Sequence, residues 1–236
     1  MKSLLRTDVG RVRKINEDAA FIGEGLYILC DGMGGHQGGE VASNLAVDVL
    51  STSLMGKEPS IGTLMSSINK ANDTICQRSL SDKNVRGMGT TLTALWVADD
   101  QMLLAQIGDS RAYLLRGGVL RQCTHDHSMV AELVRVGKLT PEEARVHPQK
   151  NLVTRALGTD TRVDPDIFEI LRQPGDRWLI CSDGLTDQVT DAEIASILSG
   201  NSLYDAADAL LSMSLERGGI DNITLLIIDD EGGGML

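Results

Sequence analysis

Short apolar runs separated by turn residues dominate much of the chain. Strands joined by connections as short as Asp99-Asp100 or Gly117-Gly118 must be antiparallel, because a parallel crossover needs a dozen or more residues. The pattern predicts strands over 4–7, 19–22, 26–30, 90–98, 102–107, 111–116, 119–123, 166–171, 177–181 and 222–228.

Other segments repeat their apolar residues at the spacing of a helix. Val41, Leu45 and Val49 form one such stripe. The pattern predicts helices over 40–54, 61–80, 128–136, 141–145, 191–198 and 203–217. Clustered antiparallel strands with helices between the clusters predict an α+β fold, with helices packed outside a sheet or a pair of sheets. We expect a single domain over 1–236, with a frayed tail at about 231–236.

Acidic residues recur where predicted strands end or begin. Asp31, Asp109 and Asp183 follow strands, whereas Asp221 and the pair Glu17-Asp18 precede them. In an antiparallel arrangement such positions can meet at one rim, and clustered carboxylates with oxygen ligands suit Mg²⁺ or Mn²⁺. An Asp-Gly pair after a strand is also a common turn signal. The spacing alone therefore leaves a metal site and a set of turns both open.

Composition and charge exclude several classes of protein. The chain has 22 Lys and Arg against 33 Asp and Glu, a formal net charge of −11. That balance argues against an electrostatic grip on nucleic acid or an anionic membrane. No apolar run approaches a membrane span, and the N-terminus lacks the pattern of a signal peptide. The four cysteines form no Cys-x-x-Cys pair, so we expect a reduced, cytoplasmic protein.

Several familiar phosphate-chemistry motifs are missing from the sequence. The glycine cluster from Gly34 to Gly39 is followed by Glu40-Val41, where a phosphate-binding loop needs Lys and then Ser or Thr. No second acid stands two residues after Asp31 or Asp183, as a nucleophilic aspartate phosphatase would require. No Gly-x-Ser-x-Gly elbow occurs.

Eight segments together carry a family resemblance. They span nearly the whole chain. Their sequences and their order resemble those of the metal-dependent serine/threonine protein phosphatases of type 2C (the PPM family), in their compact bacterial form. The segments are GRVRKINED at 10–18, DGMGGH at 31–36, GMGTT at 87–91, IGDSRAY at 107–113, THDHS at 124–128, LVTRALG at 152–158, CSDGLTD at 181–187 and GIDNIT at 219–224.

The resemblance implies a fold and a set of metal ligands. The family fold is an αββα sandwich, in which two packed antiparallel sheets are flanked by helices. Two core Mn²⁺ or Mg²⁺ ions and a weaker third ion are implied. The implied assignments are Asp31 bridging both core ions, the Gly32 carbonyl on one of them, Asp183 and Asp221 on the other, Glu17 and Asp18 on metal-bound waters, and Asp109 with Asp183, and less certainly Asp187, at the third site.

The resemblance also implies a mechanism. A metal-bridging hydroxide attacks phosphorus directly, with no phosphoenzyme, while Arg13 grips the substrate phosphate. Many eukaryotic relatives carry a histidine where this chain has Met33, so the general acid is left open between a metal-bound water and His36. His125, His127 and His147 are expected to make structural hydrogen bonds.

Partners follow from the same resemblance. The expected substrates are proteins that a bacterial serine/threonine kinase has phosphorylated. The expected oligomeric state is a monomer. Residues 128–151 correspond to the family's variable flap beside the active site. The alternative is a catalytically silent module of the same fold that binds phosphoproteins or a kinase, but Asp31, Asp183 and Asp221 are all present. A third hypothesis is that a protein of the same fold dephosphorylates a small regulator in a partner-switching pathway.

Overall fold

Two antiparallel sheets form the centre of the molecule. The structure is a computed structural model that describes residues 1–35 and 37–231. The strands are β1 (Lys2–Asp8), β2 (Asp18–Ile22), β3 (Leu26–Met33), β4 (Gly89–Thr90), β5 (Leu92–Ala98), β6 (Gln101–Ile107), β7 (Arg111–Arg116), β8 (Val119–Gln122), β9 (Asp166–Leu171), β10 (Arg177–Cys181) and β11 (Ile223–Asp229).

Helices lie between these strand clusters. They are α1 (Gly38–Leu54), α2 (Ile61–Ser81), α3 (Met129–Arg135), α4 (Pro141–Arg145), α5 (Asp183–Thr186), α6 (Asp191–Gly200) and α7 (Leu203–Glu216), with one 3-10 turn at Lys83–Val85. Thr140 begins α4 with a capping box, in which its hydroxyl accepts from the N–H of Glu143 and the Glu143 carboxylate accepts from the N–H of Thr140. In the described part of the chain, no helix combines the length and hydrophobicity that a membrane crossing requires.

The strand order keeps distant parts of the chain together. One sheet has the order β1-β11-β10-β7-β8, and the other has the order β2-β3-β5-β6-β9 with β4 paired to β3. Every paired strand runs antiparallel to its neighbour. The predicted pair of antiparallel sheets flanked by helices is confirmed.

Three apolar layers hold the sandwich together. The middle layer lies between the sheets and includes Leu29, Leu104, Trp178 and Leu226. A second layer joins α1 and α2 to the sheet that contains β3. The third joins α6 and α7 to the sheet that contains β11. Because side chains alternate between the two faces of a strand, each sheet supplies one face to the middle layer and the other to its helices.

The structure departs from the predicted elements at three places. The strand predicted over 90–98 is divided at Thr91. The Thr91 N–H donates to the Asp31 carbonyl in the register of the ladder, but the Asp31 N–H donates to the Thr91 hydroxyl in place of its carbonyl. Helix α5 and the 3-10 turn were not predicted, because segments of three or four residues are too short to show a helical period. The tail predicted at 231–236 lies outside the described residues, apart from Glu231.

Packing in the middle layer should contribute strongly to the free energy of unfolding. Leu104 is fully buried between the sheets. Leu104→Ala should lower the free energy of unfolding by about 2–5 kcal/mol, because the truncation loses buried methyl groups and leaves a cavity. Leu80→Ala is the control, since Leu80 on α2 is 83% exposed. Urea unfolding of both variants checks this, and equal losses would contradict the assigned core.

Candidate active site

A pocket of about 180 Å³ lies at one end of the sandwich. The end of β3, the turn between β6 and β7, the end of β10 and the start of β11 all meet there. The residues that line it are Arg13, Glu17, Asp31, Gly32, Met33, Gly34, Thr91, Asp109, Asn151, Val153, Asp183 and Asp221. The acids that follow some strands and precede others therefore lie around one pocket.

The backbone fixes Asp31 at the end of β3. It stands opposite Asp18 in the register of β2 and β3. Its N–H donates to the Thr91 hydroxyl at 2.9 Å, and its carbonyl accepts from the Thr91 N–H at 2.8 Å and the Thr90 hydroxyl at 2.8 Å. Asp18 is held separately, because its Oδ2 accepts from the Ser182 hydroxyl at 2.9 Å. The two acidic positions are thus set by hydrogen bonds from both sheets.

The residues that follow Asp183 and Asp221 in the chain, Gly184 and Asn222, lie in close contact. Asp183 opens α5, and Asp221 precedes β11. A Cβ on Gly184 would lie 2.0 Å from the carbonyl oxygen of Asn222, so only glycine permits this approach. The side chain of Asn222 also accepts from the N–H of Glu17 at 2.8 Å, which ties the loop before β2 to the start of β11.

Arg13 lies across the open side of the pocket. Its guanidinium donates to Oδ2 of Asp221 at 2.8 Å and lies 3.8 Å from Oε2 of Glu17. Partial burial lowers the pKa of Arg13, but the negative charges of Asp221 and Glu17 raise it by more. The pKa of Arg13 therefore lies above its usual value. Arg13 is 46% exposed, so its remaining N–H groups can reach a ligand in the pocket.

Burial dominates the titration of the pocket acids. Burial, followed by repulsion from neighbouring carboxylates, raises the pKa of Asp31 and of Asp183 well above the usual range. Burial also raises the pKa of Asp18 to about 6 and that of Asp109 to about 7. Without added positive charge, this cluster therefore holds protons near neutral pH.

The donor set fits hard divalent cations. Oε1 of Glu17 and Oδ1 of Asp18 are buried and accept no hydrogen bond from the described residues. Such carboxylate oxygens are the ligands that Mg²⁺ and Mn²⁺ prefer. Across 1–35 and 37–231, no three His, Cys, Asp or Glu side chains converge into a ready-made metal cage.

The pocket brings together most of the residues predicted for the site. Arg13, Glu17, Asp31, Gly32, Asp109, Asp183 and Asp221 all line it. Asp18 lies behind Asp31, and Asp187 pairs with Lys150 of the segment 128–151. His36 lies outside the described residues. The sequence analysis did not assign Thr91, Asn151 or Val153 to the site, and only the position of Thr91 beside the Gly-Met-Gly turn could have indicated it.

Comparisons with known proteins agree with this architecture. The family model described as Protein phosphatase 2C matches residues 11–215. Serine/threonine phosphatase stp of Listeria monocytogenes is 42% identical over 241 residues, covering 97% of this chain and 96% of that protein. The crystal structure of the Mycobacterium tuberculosis serine/threonine phosphatase PstP/Ppp superposes with a TM-score of 0.93 at 40% identity, covering 98% of this chain and 99% of that one.

A further solved structure carries metal. It is the catalytic domain of serine threonine protein phosphatase PstP in complex with 2 manganese ions, with a TM-score of 0.90, 39% identity and 97% coverage of each chain. The chain described here belongs to the protein phosphatase 2C family, and it is a serine/threonine phosphatase.

The raised pKa values predict a pH-dependent stability in the absence of metal. A carboxyl whose pKa is higher in the folded state than in the unfolded state binds more protons when folded. The free energy of unfolding should therefore fall as pH rises from about 4, the pKa of an aspartate in the unfolded chain, through about 7, the pKa of Asp109 in the folded protein. Asp31→Asn removes a buried carboxyl whose pKa is raised well above its usual range, and with it the cost of that shift, so it should raise the melting temperature of metal-free protein at pH 7.5.

The measurement is calorimetric melting in chelator between pH 5 and pH 8. Asp48→Asn serves as the control, because Asp48 is exposed on α1 and does not line the pocket. The Asp31→Asn curve should be flatter than the wild-type curve, whereas the control should follow the wild type. If the melting temperature of all three proteins changes with pH in the same way, burial of the Asp31 carboxyl does not destabilise the metal-free protein.

Proposed function

We propose that this phosphatase hydrolyses phosphoserine and phosphothreonine in proteins with the help of two core divalent ions, Mn²⁺ or Mg²⁺. The observation that carries the proposal is the pocket itself, in which carboxylates from both sheets meet beside one arginine. Asp31, Asp183 and Asp221, with the carbonyl of Gly32, would hold the core ions. Glu17 and Asp18 would orient the waters around them.

Bound ions of this kind lower the pKa of water and offset charge on phosphoryl oxygens. The residues of the chain supply the positioning. Arg13 presents a planar fork of donors at the open side of the pocket, a shape that matches two oxygens of a phosphate. Asp221 and Glu17 hold that fork in place from behind. The serine or threonine oxygen would leave toward solvent, with its proton supplied by a water or by His36.

The size of the pocket supports a protein substrate. A volume of about 180 Å³ is enough for a phosphoryl group and ions, and below the ~300–1,000 Å³ of pockets that enclose a small-molecule ligand. The rest of the substrate would then lie on the outer surface, as a polypeptide chain can. We propose that these substrates are products of a bacterial serine/threonine kinase, and that the enzyme acts in the cytoplasm as a monomer.

A weaker third ion would lie beside Asp109. The support is that Asp109 lines the same pocket as Asp183, and that Asp187, on the turn after Asp183, raises the pKa of Asp109 further. Residues 128–151 would act as a flap, because Asn151 at its end and Val153 just after it line the pocket.

Metal removal tests the proposed chemistry directly. Excess chelator should abolish hydrolysis of a phosphothreonine peptide and of p-nitrophenyl phosphate, because no ion then lowers the pKa of the attacking water or offsets charge on the phosphoryl oxygens. Added Mn²⁺ or Mg²⁺ should restore both activities. The measurement is the initial rate on each substrate across a metal titration. Undiminished turnover in excess chelator would eliminate the divalent-ion proposal.

Arg13→Ala should act mainly on substrate affinity. An arginine that holds the phosphate equally in the ground and transition states contributes to KM more than to kcat. We expect KM to rise about tenfold, which corresponds to the ~1.4 kcal/mol of one charged hydrogen bond. Lys14→Ala is the control, because Lys14 is the exposed cation next along the chain and does not line the pocket. If Arg13→Ala has the kinetics of wild type, Arg13 does not meet the substrate.

A further inference from the structure

The turn that carries Asp109 has an unusual backbone. Gly108 adopts φ +97°, and a Cβ there would lie 2.5 Å from Cγ2 of Thr91. Asp109 follows directly, is only 9% exposed and lines the pocket. A single β6–β7 turn therefore passes from one sheet to the other and delivers an acid to the site. Such a turn needs external hydrogen bonds to keep one conformation, because glycine by itself is permissive.

His127 supplies two of those hydrogen bonds. Its main-chain N–H donates to the carbonyl of Gly108 at 2.9 Å, and its ring Nδ1 accepts from the N–H of Gly108 at 3.2 Å. Both polar groups of Gly108 are thus bound to one residue. Nε2 lies 3.3 Å from Oδ2 of Asp166 and 3.2 Å from Nη1 of Arg155, which can only donate. The side chain of His127 is 5% exposed, and burial lowers its pKa, which keeps the ring neutral.

The same residue borders the segment 128–151. The carbonyl of His127 accepts from the N–H of Thr154 at 2.8 Å, and Ser128 forms an isolated bridge with Val153. Val153 lines the pocket. The start of the segment and the residues just after its end therefore meet beside His127, next to the turn that presents Asp109. His127 contacts the turn with its ring and Thr154, just after the segment, with its carbonyl.

We propose that His127 is a positioning residue for catalysis, which fixes the Asp109 carboxylate in the pocket by holding both polar groups of Gly108. The proposal rests on the function proposed above for Asp109. His127 itself touches neither the substrate nor the reacting atoms. Gln106 also donates to the Gly108 carbonyl, at 3.0 Å, so the contact particular to His127 is the one between its Nδ1 and the Gly108 N–H, which orients the acid that follows.

Two substitutions separate the two sides of the ring. His127→Asn keeps an acceptor near the position of Nδ1 and loses the contact with Asp166. His127→Gln places its amide near the position of Nε2, so it keeps the contact with Asp166 and loses the acceptor for Gly108. We expect His127→Gln to lower kcat about 10- to 100-fold with little change in KM, as for other residues that orient a ligand. His127→Asn should recover most of that loss.

His125→Gln is the matched control. His125 stands two residues earlier, its side chain is 79% exposed, and it lies 4.0 Å from the same Asp166. It should keep wild-type kinetics. Amide hydrogen exchange of Gly108 in metal-free protein supplies a readout independent of activity. The amide should stay protected in wild type and His127→Asn, and should exchange faster in His127→Gln.

Asp109→Asn completes the experiment, because it tests the role on which the proposal rests. A lower kcat in Asp109→Asn and in His127→Gln, with rescue by His127→Asn, supports the proposal. A lower kcat in Asp109→Asn beside wild-type kinetics in His127→Gln overturns the role of His127 and leaves that of Asp109 intact. Wild-type kcat in Asp109→Asn overturns both roles. Equal losses in His127→Asn and His127→Gln would show that the contact with Gly108 is not what matters.

Discussion

Repulsion among buried carboxylates is the constraint to which the rest of this structure responds. Asp18, Asp31, Asp109 and Asp183 are all withdrawn from water, and burial raises the pKa of each. Such a cluster would separate if its backbone could relax, because like charges at low dielectric repel strongly. The sandwich prevents relaxation by fixing each acid to a strand end or a turn that is itself hydrogen-bonded.

The hydrogen bonds that hold the acids are largely neutral. Thr91 fixes Asp31 through its hydroxyl and its main chain, and its hydroxyl also bonds the Ser110 hydroxyl at 2.8 Å. Ser182 fixes Asp18, and Asn222 joins the loop before β2 to the start of β11. Neutral partners restrain the carboxylates without neutralising them. The charge of the acids thus stays available for cations, and Arg13 is the cation that the pocket itself supplies.

The sequence predicted the parts of this arrangement that depend on short patterns. Strand periodicity located β3, β6 and β10, and the acids after them pointed to one rim. It could not predict the division at Thr91, because that break depends on the N–H of Asp31, sixty positions earlier in the chain, which donates to the Thr91 hydroxyl. The resemblance placed the segment 128–151 beside the site, but it could not single out Asn151 within that segment or Val153 after it, since neither residue carries a local signal. The roles of the acids, as distinct from their placement, come from the family resemblance and remain predictions.

The pairing of β1 with β11 has a consequence for biosynthesis. The register joins Lys2 to Asp229, so β1 must wait for β11 to be made before the two strands can pair. Asp221 and Asn222 enter at that same step. A chain still emerging from the ribosome would therefore have Arg13 and Asp31 but no complete pocket. Pairing across so large a sequence separation is intrinsically slow, so phosphatase activity should appear only after synthesis has passed β11.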